Sequence, residues 1–452
     1  MDKWYSLDNA GKLFPAVTTN KNTSIYRVSA ILKQEINKEF LQQAVLMIAD
    51  RFPMITMTIH QGVFWSYLEK NEKPFKIKED NNYPCYSMTL EPNDRYLFRV
   101  LYYANRVSLE VFHMLTDGGG AMEYFKTLLW QYLTLCGVKI ETEGKILLPT
   151  QDVKSYEMED SFSSNYKTTQ TPRIKTPMAY RVTGTPFENY GNNVIHGSLN
   201  AKELNAYAKS LGVTITTFLT ALLIYSINEQ NAHLSTSKPV AVAIPVNFRK
   251  MFESKTLRNF VGAVNVNAQN EGEIKNNDIN QIIKAIDNDI KRQTQKDYLQ
   301  NLISNNVKFE INKGTKLIPS FLKNICIGIG YNVVGAKKKT TTLSNLGNIS
   351  LPTKMAEYID SFEAILYPSQ ISPISCSVCS YENKMVISFT RSIKQADIFK
   401  TFFRYLSKEV GLDIQIYSND WGEENQSLST QKTTAPKKLL KTKKKNKRGV
   451  AK

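Results

Sequence analysis

Residues 107–113 read V-S-L-E-V-F-H, a period of two that predicts a strand with Val107, Leu109, Val111 and His113 on one face and Ser108, Glu110 and Phe112 on the other. Gly118, Gly119 and Gly120 follow, and then Ala121, Met122, Tyr124, Phe125, Leu128, Leu129 and Tyr132 recur at the spacing of a helix face. The same two periods organise the sequence before this point. An amphipathic opening offers Trp4, Leu7, Leu13 and Phe14 to a core, 24–32 alternates as a strand, and a helix runs from Asn37 towards Pro53 with Leu41, Ala44, Val45 and Ile48 on one side. Segments 54–59 and 63–68 predict a hairpin turning at His60-Gln61-Gly62, and 96–103 a further strand.

Beyond Gly137 the pattern changes. Residues 150–190 are rich in Ser, Thr, Asp, Lys and Pro and poor in large apolar side chains, as in a linker or crossover. Strands are then predicted at 194–199, 240–245 and 258–266, and helices at 201–211 and 214–228. One long polar helical region, 279–305, leads through another helical segment to the run 340–352. Two strands turning at Glu382-Asn383-Lys384 and a helix over 396–410 complete the pattern, and no fixed-period repeat is present. Interleaved strands and helices predict an α/β chain, and 452 residues suffice for two cores. The expected division is 1–150, a crossover at 151–190, a second unit at 191–430, and a tail at 431–452.

Composition changes this picture little until charge is located. With 42% hydrophobic and 22% charged residues the chain is of ordinary globular type. The net charge of +17 suggests nucleic acid, but ten Lys and Arg and no acid lie in 432–452, which leaves +7 for the body. That tail is self-repelling and predicted to be disordered. Its alternative role is weak contact with anionic lipid or nucleic acid, although no aromatic residue is interleaved to stack on bases. No apolar run approaches the ~18 residues of a membrane span, and the opening lacks a basic segment leading into an apolar one, so a cytoplasmic location is expected. His60 is expected at the surface of its turn, without a partner, and His196 to be structural or exposed. Cys376-x-x-Cys379 sits in a strand pattern with no second pair and no histidine nearby, so neither a metal site nor redox chemistry is expected there.

The chemistry concentrates at His113-Met114-Leu115-Thr116-Asp117-Gly118. A neutral imidazole at the end of a buried strand face can take a proton from a hydroxyl, amine or thiol about to attack a carbonyl. Asp117, just before the helix, can hold the loop. The plainer reading makes His113 a satisfied core residue and Asp117 a helix cap.

In order along the chain, this motif, Pro245-Val246-Asn247-Phe248-Arg249, Asn259-Phe260-Val261-Gly262 and Ser344-Asn345-Leu346-Gly347 resemble the landmarks of the chloramphenicol acetyltransferase-like superfamily. The likeness spans roughly 1–418 and is greatest to bacterial alcohol acetyltransferases, whose opening L-D-N-A-G-K-L-F-P resembles, and to condensation-domain-like proteins. Phe112 stands where condensation domains carry a first histidine, and no Asp-Phe-Gly-Trp-Gly string of the plant-type branch occurs. The resemblance implies two similar subdomains, each a mixed sheet with flanking helices, with a tunnel at their interface. It implies an acyl-CoA-dependent acyltransferase, with acetyl-CoA as co-substrate, no bound cofactor, and a small-molecule or lipid acceptor. His113 would be the base for direct transfer, and Asp117 would pair with an arginine, for which Arg51 in Asp50-Arg51-Phe52-Pro53 aligns, while Gly118 supports the turn. Asn247, Arg249 and Asn345 become candidates for holding the thioester. A non-catalytic or carrier-protein-dependent condensation-type module, and a binder working through its basic tail, are the alternatives.

Overall fold

The computed structural model describes residues 4–88, 94–168, 176–188, 191–231, 238–271, 277–311, 318–330 and 335–418, so the basic tail expected at 431–452 lies outside the described residues. The first part of the chain supplies β1 (Tyr5–Ser6), α1 (Phe14–Val17), β2 (Ile25–Leu32), α2 (Lys38–Ile48), β3 (Met57–Gln61), β4 (Ser66–Lys70), β5 (Lys78–Glu79), β6 (Phe98–Tyr103), β7 (Arg106–Phe112) and α3 (Gly118–Leu135). After α4 (Ser161–Ser164) come β8 (Asn193–Asn200), α5 (Ala201–Ser210), α6 (Ile215–Asn231), β9 (Ala241–Asn247), β10 (Val261–Asn267), α7 (Ile279–Gln293), α8 (Lys296–Ile311) and α9 (Ser320–Gly330). β11 (Thr341–Asn348), β12 (Ile359–Leu366), β13 (Ile374–Tyr381), β14 (Lys384–Arg391), α10 (Asp397–Lys408) and β15 (Gln415–Ser418) follow.

The described strands form two large sheets, ordered β12-β2-β7-β6-β5 and β10-β9-β11-β13-β14-β8-β15, and a small one, β1-β4-β3. The apolar faces of α2 and α3 close one core over the first large sheet. A second core joins α6, α7 and α10 to the other. Phe218 and Ile227 of α6 are fully buried there. The two-lobed mixed α/β architecture expected from the resemblance is the one observed.

Three particulars differ from the sequence reading. β12 falls within the region assigned to the second unit, yet it pairs antiparallel with β2 along Leu32 to Tyr26 and so belongs to the first sheet. The boundary drawn by chain order therefore splits a sheet, because strand pairing is set in space and a late strand can return. The polar region 279–305 is two helices, since Thr294 ends α7 before α8 begins at Lys296. The hairpin turns at 62–65, a few positions later than predicted, which puts His60 inside β3, where it stacks on Tyr67 and lies 3.0 Å from Glu69.

β7 places the histidine. Val107, Leu109 and Val111 are fully buried against the helices, as their alternation predicts. Ser108 and Glu110 on the opposite face are buried as well. A charge there needs partners. Glu110 has them in Arg27 Nε at 2.9 Å and Arg99 Nη2 at 2.7 Å.

Candidate active site

His113 stands one residue beyond the end of β7, in the turn before α3, where its backbone N–H donates to Ser24 O at 2.9 Å. Its ring is half-buried, stacked on Phe14 of α1 with centroids 4.5 Å apart, and met edge-on by Tyr26 of β2 at 5.0 Å. Burial lowers its pKa, because the imidazolium loses water; Asp117, its own backbone and Asn259 oppose this more weakly. The ring is therefore neutral at physiological pH, the form that accepts a proton.

Asp117 is 1% exposed and serves three structures at once. As the N-cap of α3 its Oδ1 accepts from Gly119 N at 3.0 Å and Gly120 N at 3.2 Å, satisfying donors that the first turn leaves unpaired. Oδ2 accepts from Phe260 N at 2.8 Å, and Arg249 donates from both terminal nitrogens at 2.9 Å. Asp117 is thus a helix cap, and also the anchor for the loop between β9 and β10, which comes from the other lobe.

That loop reaches under the histidine turn. Thr116 Oγ donates to Leu257 O at 2.5 Å, and Asn259 Oδ1 lies 3.0 Å from His113 Nδ1. Gly120 makes this approach possible, since a Cβ there would lie 2.0 Å from Leu257 O. Gly118 faces Leu346 of β11, whose Cδ2 would stand 2.9 Å from an added Cβ.

The expectation that Arg51 pairs with Asp117 is corrected. Arg51, 3% exposed after α2, donates through Nη1 and Nη2 to Glu157 at 2.7 and 2.8 Å. It ties the crossover segment to the first lobe, and Asp117 takes its arginine from the second. Arg249 is corrected likewise. Beyond Asp117, its guanidinium donates to Thr256 O at 2.8 Å and to Arg258 O at 2.6 Å, so it is committed to the loop instead of facing a thioester. Asn247 Oδ1 accepts from Arg249 N at 3.0 Å and helps to orient that arginine. Asn345 donates to Thr216 Oγ at 3.0 Å and accepts from Gly347 N at 2.8 Å, which fixes the bulge that carries Leu346 to Gly118.

Asp8, Phe14, Tyr26 and Asn259 were not singled out as site residues by sequence reasoning. Asp8 and Phe14 lie in the opening L-D-N-A-G-K-L-F-P, and Asn259 in a recognised segment, but nothing in spacing brings them to a histidine 99 or more positions away. Elsewhere, Cys376 and Cys379 are buried in β13, and Cys379 Sγ donates to Phe362 O at 3.2 Å. His196 is buried on β8 between Ser388 and Tyr417. Among the described residues no three His, Cys, Asp or Glu side chains are grouped to hold a metal ion.

By sequence the chain matches no protein-family model and no curated protein. By structure it is similar to Fusarium sporotrichioides TRI101 complexed with coenzyme A and T-2, with a TM-score of 0.58 at 11% identity over 91% of this chain and 99% of that one. TRI3 trichothecene 15-O-acetyltransferase from the same organism gives 0.56 at 11% identity, over 90% of this chain and 94% of that one. The starter condensation domain of rhizomide synthetase RzmA, a mutant in complex with C8-CoA, gives 0.55 at 11% identity over 90% and 95%. The chain therefore has the two-lobed chloramphenicol acetyltransferase-like fold, which acyltransferases and condensation domains share. A shared fold does not by itself assign a reaction.

Proposed function

We propose that the protein is an acyl-CoA-dependent O-acyltransferase of the alcohol acetyltransferase type, with His113 as its general base. The observation that carries this reading is a half-buried imidazole at the contact of the two lobes, backed by Asp117 and by a loop from the opposite lobe. Similarity to a trichothecene O-acetyltransferase and to structures complexed with coenzyme A or C8-CoA supports it.

In this reading the acceptor hydroxyl gives its proton to His113 as its oxygen attacks the thioester carbonyl. The new carbon–oxygen bond forms, the carbon–sulfur bond breaks, and the departing thiolate takes the proton back from the imidazolium to leave as coenzyme A. A thioester is already activated, so one base and good positioning suffice, the base supplying about 10²–10⁴-fold. Asp117 and Arg249 act by holding the turn.

The test is release of free thiol from acetyl-CoA in the presence of a panel of small and lipid alcohols, with His113→Ala alongside. Turnover should appear with at least one acceptor and fall by about 10²–10⁴-fold in the variant, which a thermal melt should show to be folded. Undiminished turnover in folded His113→Ala would refute the base. Transfer from a carrier-bound thioester, with none from coenzyme A, would favour the condensation-type reading.

A further inference from the structure

We infer that Asp8 and Asn259 are positioning residues that fix the tautomer of His113, holding the proton on Nδ1 and leaving Nε2 as the nitrogen that receives the proton of the acceptor. The inference rests on the acyltransferase reading for its kinetic consequence, while the tautomer itself is a property of the resting protein.

The argument begins with the amide of Asn259, which has one accepting and one donating end. Its Nδ2 lies 3.2 and 3.4 Å from the carboxylate oxygens of Asp8 and 3.4 Å from Met114 O. A carboxylate and a carbonyl oxygen only accept, so they can be met only by the NH2 end of the amide. The oxygen end is thereby turned towards His113, and Oδ1 stands 3.0 Å from Nδ1. An oxygen at that distance calls for an N–H, so Nδ1 carries the proton and the lone pair is on Nε2. Turning the amide over would set its oxygen against both Asp8 and Met114.

Asp8 is itself held. It is 0% exposed and accepts from Gly11 N at 2.5 Å and Asn259 N at 3.3 Å, with Arg258 Nε 3.4 Å away. Burial raises its pKa to about 6, against the opposing pull of Arg258, so it is ionised at neutral pH. One end of this chain of contacts comes from the opening segment of the first lobe and the middle from the second, so the proton acceptor is oriented only when the two lobes are docked.

The experiment is a long-range ¹⁵N–¹H correlation spectrum of the full-length protein labelled with [¹⁵N]histidine, at pH 7.5, the His113 signals being identified by their loss in His113→Ala. The wild type should show a protonated Nδ1 and a bare Nε2. Asn259→Leu, of similar size with no polar end, should move His113 towards the Nε2–H form that a free imidazole prefers, and Asp8→Asn should move it in part. In the thiol-release assay, Asn259→Leu should lower kcat by up to about 10²-fold with little change in KM. A wild-type His113 protonated on Nε2 overturns the inference, as does an unchanged tautomer in folded Asn259→Leu. If that variant does not fold, the wild-type spectrum still decides. If no acceptor is ever acylated, the spectrum tests the tautomer independently and only the proposed reaction is lost.

Discussion

Arg249 and Asp117 are 132 positions apart, yet both terminal guanidinium nitrogens of Arg249 donate to the two oxygens of Asp117 at 2.9 Å. Charge-assisted pairs of this forked kind are strong and geometrically specific, and here one joins the N-terminus of α3 to a loop of the other lobe. Removing one partner leaves a nearly buried charge alone. Arg249→Ala should therefore cost about 3–5 kcal/mol of unfolding free energy, and Arg249→Lys somewhat less, because its ammonium keeps a positive charge beside Asp117 although it cannot span both oxygens. In a denaturant-melt cycle, Asp117→Ala combined with Arg249→Ala should be clearly less damaging than the sum of the single changes. Additive costs would show that the pair does not couple the lobes.

Arg51 gives the contrasting case. Its buried bidentate pair with Glu157 also fastens one segment to another, but neither residue touches the histidine turn directly. Arg51→Ala should lower stability by a similar amount, about 3–5 kcal/mol. At a temperature where the variant is fully folded, its thiol-release kcat should stay within about twofold of the parent, since the general base and its supports are unchanged. A large fall in kcat without unfolding would return Arg51 to the site.

These two arginines mark what could be read from the sequence and what could not. The alternation through Val107, Leu109 and Val111 and the helix spacing after Gly120 placed the motif at a strand-to-helix turn, because local period reports which face is buried. Which arginine meets Asp117 depends on how two lobes dock, and no local pattern encodes that. Arg51 aligns with the expected partner in Asp50-Arg51-Phe52-Pro53, whereas Arg249 arrives on a loop that crosses between lobes. The return of β12 to the first sheet was hidden for the same reason, as was the link from Asp8 through Asn259 to His113.

The glycines after Asp117 are not equivalent. At Gly120 an added Cβ would fall 2.0 Å from Leu257 O and 2.2 Å from Thr116 Oγ, both held in the contact between lobes. At Gly118 the close atom is the end of a flexible leucine, Leu346. Gly120→Ala should thus lower the melting temperature sharply or prevent folding, whereas Gly118→Ala should cost only about 1–3 kcal/mol, as moderate overpacking does. Comparing the two melts checks this. Equal stability would mean that the loop does not sit against the start of α3 in solution.

Phe14 links the shape of the site to its pH response. Its ring stacks on one face of His113 at 4.5 Å and keeps water from the imidazole. Lost hydration is the main reason that the pKa of His113 is lowered from 6.5. In sign, the unfolded chain takes up a proton on this histidine more readily than the folded one, so its contribution to stability is present above pH 6.5 and is lost as the pH falls through 6.5 towards the depressed folded value. Under the proposed mechanism kcat/KM should be flat near neutrality and fall on an acid limb whose midpoint lies below 6.5. Phe14→Ala admits water to the ring and should move that midpoint upwards, towards 6.5. Asp117→Asn removes the carboxylate that favours the charged form and should move it downwards. Opposite displacements in two pH–rate profiles would tie the limb to His113, and displacements of the same sign would assign it to another group.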